Sequence, residues 1–145
     1  MDPRRVLFLL LCLLIAVPVV AQEEDAGKPD SPLVQRTREH LKTYDARRDR
    51  EANAAWRSRA LALADSLEAD GEHGMASQCL ERAGILHYFA GDLDAALAVW
   101  ERGLAAARLS DDDRRIAALL NARASGISAT GDNEAALAAH FETLE

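Results

Sequence analysis

The chain has 145 residues, 17 basic against 24 acidic, for a formal net charge of −7, and only 5% of it is aromatic. That length holds one domain with a modest core, and the acidic balance disfavours nucleic acid and anionic membrane surfaces, which attract basic patches. Alanine fills 29 of the 145 positions, β-branched residues are few and no alternating apolar pattern occurs, which argues against sheet and for an all-α chain packed closely through small side chains.

Arg4 and Arg5 precede an apolar run from Val6 to Val20, followed by Ala21 and then by Gln22-Glu23-Glu24-Asp25. A basic start, a short apolar core and small residues at Val19 and Ala21 read as a signal peptide over 1–21, cleaved after Ala21. The 15 apolar residues fall short of a membrane span, which needs roughly 20. Export to a periplasmic or extracellular location is therefore expected, with an uncleaved N-terminal membrane anchor as the alternative. Cys12 does not suit a lipid anchor, because Leu11 before it is too large and the apolar run continues past it. Cleavage leaves 15 basic and 23 acidic residues, a net charge of −8, and Cys79 as the one cysteine. Without an internal disulfide, stability must come from helix packing. Cys79 shares a helical face with Met75, Ala83 and Leu86 and reads as a buried small hydrophobe; intermolecular pairing or a reactive thiol is the other reading.

Residues 22–32 are acidic, contain Gly27, Pro29 and Pro32, and have almost nothing to bury, so they read as a flexible linker. A helical domain is expected over 33–145, entered at Ser31-Pro32, since proline suits a first helical turn. From Leu33 to Ala69 there is neither glycine nor proline. The charged stretch Asp45–Glu51 leaves two options, one long helix partly in solvent or two helices meeting near 44–49. Trp56, Ala60, Leu63, Ala64 and Leu67 make an apolar face on a helix over 52–69 that ends at Asp70-Gly71 and covers the N-terminal end of the later helices.

Helices are then expected at about 74–89, 93–108, 113–129 and 132–145, joined by turns short enough to force antiparallel neighbours. Gly91 suits a left-handed helix end, and Asp92 suits the N-cap of the next helix. Ser110 with Asp113 reads as a capping-box-like start. The stretch Gly91 to Arg108 sets Leu93, Ala96, Leu97, Trp100, Leu104 and Ala107 on one face. Its turn and cap recur forty residues on, at Gly131-Asp132-Asn133-Glu134-Ala135-Ala136-Leu137, which marks a helical repeat.

Leu80, Ala83, Gly84, His87, Ala96, Trp100 and Gly103 stand at the spacing of the tetratricopeptide repeat, and residues 77–110 resemble one full repeat of that family. A second copy over 117–145 keeps Leu120, Ala124, Ile127 and Ala136 and departs at Arg123, His140 and Thr143. The six residues Asp111–Ile116 separate the copies. The resemblance implies a short right-handed stack of antiparallel helical hairpins that binds a protein or peptide on its concave surface. It further implies groove positions at Gln78, Glu81, Ile85 and Tyr88 in the first copy and at Asn121, Ser125 and Ser128 in the second. Glu81 stands where a terminal-carboxylate clamp would need a basic residue. A peptide with an apolar anchor for Ile85 and Tyr88 and a basic residue for Glu81 fits better. Packing of Ile85 and Tyr88 against the chain's own N-terminal helices is the alternative.

Nothing in the sequence argues for catalysis, metal or cofactor. His40 and His73 have no second ligand at helical spacing, and Glu72-His73 reads as a solvated turn; His87 and His140 read as packed histidines. Asp111-Asp112-Asp113 is accounted for by helix capping, since adjacent helical residues point in different directions. No serine elbow, phosphate loop or paired Cys motif occurs. Two function classes emerge. One is a non-catalytic binding module of the cell envelope, acting as scaffold or adaptor. The other is a structural subunit that completes a larger envelope assembly, as homo- or hetero-oligomer, through exposed helical faces.

Overall fold

The computed structural model describes residues 30–142. The expected signal peptide with Cys12, linker residues 22–29 and the last three residues, Thr143 among them, lie outside them. The helices described below all belong to one compact unit, Ser31–Glu145.

The described residues form six α-helices and no strand: α1 (Pro32–Lys42), α2 (Arg50–Ala69), α3 (His73–Phe89), α4 (Leu93–Leu109), α5 (Asp113–Ala129) and α6 (Asn133–Glu142). The all-α class is as expected, and the region 33–69 is two helices. Ser31 caps α1 by accepting the Val34 N–H at 3.2 Å, with Pro32 in the first turn. Asp49 caps α2 through the Ala52 N–H at 2.8 Å. Between them, Asn53 donates to the carbonyls of Arg48 at 3.0 Å and Ala46 at 3.4 Å, which holds the link in one conformation.

From α2 onward the chain keeps a constant step. Helices end at Ala69, Phe89, Leu109 and Ala129, each 20 residues after the last, and α3 and α5 begin 40 residues apart. Each step closes with the same turn. The residue after the C-cap takes positive φ, at Gly71, Gly91 and Gly131 and also at Asp111 with φ 50°. Its N–H and the next one bond back to the last helical turn, as in Gly91 to Tyr88 at 3.0 Å and Asp92 to His87 at 3.0 Å. The same pattern recurs at 71–72 and 111–112, satisfying carbonyls that a helix end otherwise leaves open. Asp111 fills the third position because a short polar side chain tolerates the left-handed region better than most.

Two capping details differ from expectation. Asp112, not Ser110, caps α5, accepting the Arg115 N–H at 3.0 Å. Asp92 occupies the N-cap of α4 without a side-chain capping bond, because its carboxylate turns back to His87.

Each helix packs on its sequence neighbours, and α3 also touches both α1 and α5. Among the described residues, α2 packs on α3 more extensively than on α1, and the closest neighbours are α3 and α4. The helix expected over 52–69 is α2, which packs on α1 and on α3. Two apolar clusters fill the interior. The first joins Val34, Leu41, Trp56, Leu63, Leu67, Cys79, Leu80 and Leu86 from α1 to α3. The second joins Ala96, Trp100, Leu104, Leu119 and Leu120 from α4 and α5, with Ile85 and Tyr88 packed against it. Among the described residues, ten of the 22 buried hydrophobics are alanines, so the helices approach closely where two small faces meet. The two fully buried hydroxyls among the described residues are satisfied within their own helix, Thr37 donating to the Leu33 carbonyl at 2.9 Å and Ser77 to that of Gly74 at 2.8 Å.

Candidate partner-binding face

The repeat-pattern residues make the frame on which any binding face rests. Leu80, Ala83, Gly84, Ala96, Trp100, Gly103, Leu120, Ala124 and Ala136 are buried, and His87 and Ile127 are half-buried. Trp100 on α4 lies between two glycines from flanking helices. A Cβ at Gly84 would stand 2.5 Å from Trp100 Cδ1, and one at Gly126 would stand 2.9 Å from Trp100 Cζ3. Gly103 brings α4 onto α3 and α5, where a Cβ would meet Leu80 and Leu119 at 3.2 and 3.1 Å. Gly126 completes the slot, and its place inside a helix, where glycine costs about 1 kcal/mol against alanine, is the mark that points to such a packing role.

Of the groove positions on α3, Gln78 lines a shallow cleft of about 460 Å³ between α1 and α3, together with Arg38, Leu41, Lys42, Tyr44, Met75 and Arg82. Arg82 lies 4.9 Å above the Tyr44 ring, and Tyr44 in turn packs edge-on against Trp56 at 5.2 Å. Burial pushes the Tyr44 phenol above its ordinary range. Glu81 is paired with Arg115 of α5, so its carboxylate is already matched within the chain and is not free to receive a partner's basic residue. Ile85 and Tyr88 are half-buried against the second cluster, and the Tyr88 ring stands 6.1 Å from Trp100. On α5, Asn121, Ser125 and Ser128 are exposed, and Ser125 donates to the Asn121 carbonyl at 2.9 Å. The α3 half of the face is thus partly absorbed into packing, while the α5 half is open to solvent.

Arginines tie helices that are two apart in sequence. Arg102 of α4 reaches Glu68 and Asp65 of α2 at 2.6 and 2.5 Å. Glu68 to Arg102 and Glu81 to Arg115 share a separation of 34 residues, so one register aligns α2 with α4 and α3 with α5. Arg123 departs from the family pattern and uses the position otherwise, contacting Glu101 of α4 at 2.8 Å and Glu142 of α6 at 2.5 Å. These partners were invisible to helical periodicity, which orders residues along one helix and says nothing of its neighbour.

The histidines differ from one another. His40 stacks on Trp56 with ring centroids 4.4 Å apart. Its Nε2 donates to the Trp56 carbonyl at 3.1 Å, while the Trp56 indole donates to the His40 carbonyl at 3.2 Å. Burial holds its pKa below the ordinary value, with Arg59 adding to the effect. His87 is nearly covered, its side chain 12% exposed, and meets the Asp92 carboxylate at 3.2 Å; burial and then Arg57 lower its pKa against the pull of Asp92. His73 is not in a solvated turn: it opens α3, half-buried. His140, expected to pack, is exposed. Among the described residues no group of three or more His, Cys, Asp or Glu could hold a metal ion, and none of their helices is long and apolar enough to cross a membrane. Cys79 is fully buried, and burial pushes its thiol up to about 12.

No family model, curated protein or solved structure matches the chain.

Proposed function

We propose that the protein is a non-catalytic binding module resembling the tetratricopeptide family, which holds a protein or peptide segment along the side formed by α1, α3 and α5. One observation carries the reading: helices of constant step, closed by the same turn, place α3 against both α1 and α5. Regular stacks of helix pairs present extended binding surfaces of this kind. The 40-residue pair is longer than the family's unit of about 34 residues, so the likeness is in architecture and packing residues rather than in repeat length. The contact area centres on Gln78, Asn121, Ser125 and Ser128. Ile85 and Tyr88 contribute the exposed edges of packed side chains, and Glu81 acts through its pairing with Arg115. Export to the cell envelope, by the signal-like segment 1–21, is part of the same proposal.

The second reading, a structural subunit of a larger envelope assembly, is favoured by α6. Leu137 and Phe141 lie one helical turn apart and are 59% and 60% exposed, an apolar face open to a neighbour.

The test uses substitutions that leave the core untouched. Gln78→Arg, Asn121→Arg and Ser125→Arg together should lower affinity for a partner recovered from an envelope extract by at least about tenfold, with the helical circular dichroism unchanged. Unchanged affinity, with loss on Leu137→Glu and Phe141→Glu instead, would transfer the assignment to α6.

A further inference from the structure

The link between α1 and α2 meets the turn between α3 and α4 in a cleft of about 380 Å³. Ligand sites commonly occupy roughly 300–1,000 Å³. Its walls carry three guanidinium groups, from Arg48, Arg50 and Arg57, against one carboxylate, that of Asp92, which is turned to His87. Arg48 and Arg50 are exposed and Arg57 is half-buried. Among the described residues none of the three has an ion pair, whereas Arg102, Arg108, Arg115 and Arg123 each meet a carboxylate. The nearby acids of the link are occupied with backbone, Asp45 accepting the Arg47 N–H and Asp49 that of Ala52.

These three arginines, without an ion pair among the described residues, stand on a chain of net charge −7. The backbone that carries Arg48 is held, since Asn53 donates to the carbonyls of Ala46 and Arg48. Apart from Asp92, the opposite wall is apolar: Leu86 is buried beneath it, and Phe89 leaves 67% of its surface in water. A guanidinium fork matches a carboxylate in bidentate fashion, and a ring beside it suits an aliphatic or aromatic neighbour of that carboxylate.

We propose that this cleft binds an acidic peptide segment of a partner protein, its carboxylates on Arg48, Arg50 and Arg57 and an apolar side chain on Phe89. A free inorganic anion would leave the Phe89 wall unused. An anionic membrane surface is the other source of such groups, and the vesicle arm of the test below distinguishes it. The cleft shares no residue with the face around Gln78 and Asn121, so the two assignments stand or fall separately.

Fluorescence anisotropy on the full chain tests it, with a labelled nonapeptide alternating Asp and Glu with Leu and Phe. Its control has Asn and Gln in place of the acids. The acidic probe should bind at low salt and weaken as salt rises. The variant Arg48→Gln with Arg50→Gln, two exposed and unpaired positions that the fold does not need, should raise Kd about tenfold or more. Arg36→Gln with Arg59→Gln, outside the cleft, should leave it unchanged. Equal binding of the amide control, equal weakening by both variants, or no binding of the acidic probe overturns the proposal. So does binding to phosphatidylglycerol vesicles that the acidic probe does not displace.

Discussion

The indole Nε1 of Trp100 donates a hydrogen bond to the main-chain carbonyl of Glu81, 3.1 Å away on the preceding helix. That bond fixes the ring's rotation, and the ring is 2% exposed. Trp100→Ala removes both the bond and a large buried surface and should cost about 3–5 kcal/mol. Trp100→Phe keeps most of the volume and should fall between Trp100→Ala and wild type. Urea unfolding followed by circular dichroism measures both, and a Trp100→Ala midpoint near wild type would show that the ring is not the key of the second cluster.

Gly84 and Gly126 set two opposing effects against each other. Helix propensity alone makes Gly→Ala stabilising by about 1 kcal/mol. Here an added Cβ meets the Trp100 ring, which is held by its hydrogen bond and cannot step aside. Overpacking of a tight core costs about 1–3 kcal/mol, so Gly84→Ala should destabilise, and Gly126→Ala should do so less. Gly91→Ala meets no atom within 4 Å, yet φ at +80° costs a side chain about 1 kcal/mol. Thermal melts of the three variants give the order, with Gly84→Ala lowest.

Acidification should loosen the fold through two histidines. Burial depresses the folded-state pKa of His40 and of His87 below the ordinary 6.5. The unfolded chain therefore binds more protons in that window, and stability rises with pH across it. It should be full above 6.5 and decline as the pH falls through the depressed folded-state values. His40→Phe keeps a ring on Trp56 and should flatten part of the slope between about pH 5 and 7. A slope unchanged in this variant would place the titration elsewhere.

Cys79 should be silent in the folded protein. Its thiol is fully buried and raised to about 12, so the reactive thiolate is scarce at neutral pH. A disulfide reagent such as DTNB at pH 8 should label it only after denaturant is added. Fast labelling of the native chain would restore the reading of an accessible, reactive thiol. Cys79→Ala, a small loss of volume in the first cluster, should leave the helical spectrum intact.

The helices were largely legible from the sequence, because apolar spacing and left-handed glycines are local signals. Expected boundaries at 93–108 and 113–129 fall within one residue of those observed. The third turn was harder to recognise, since Asp111 takes the conformation that glycine takes at 71, 91 and 131. The chemistry of the candidate face was less legible. Glu81 reads as a free acid until Arg115 is brought beside it from 34 residues away, and Tyr88, read either as a groove residue or as packed on the N-terminal helices, lies near Trp100 instead. His140 reads as packed from its place in the second copy, and it faces solvent. The arginine cleft depends on a link folding against a distant turn, a juxtaposition that no periodicity in one helix encodes.

The side formed by α1, α3 and α5 can be examined by photo-crosslinking from single positions. A benzophenone amino acid is placed at Ser125 of α5, at Gln78 of α3, and at Ala98, which is exposed on α4. Each full-length variant is then irradiated in an envelope extract and resolved by mass. The binding-module account predicts the same discrete adduct from Ser125 and Gln78 and none from Ala98. An adduct formed from Ala98 alone, or identical adducts from all three positions, would contradict it.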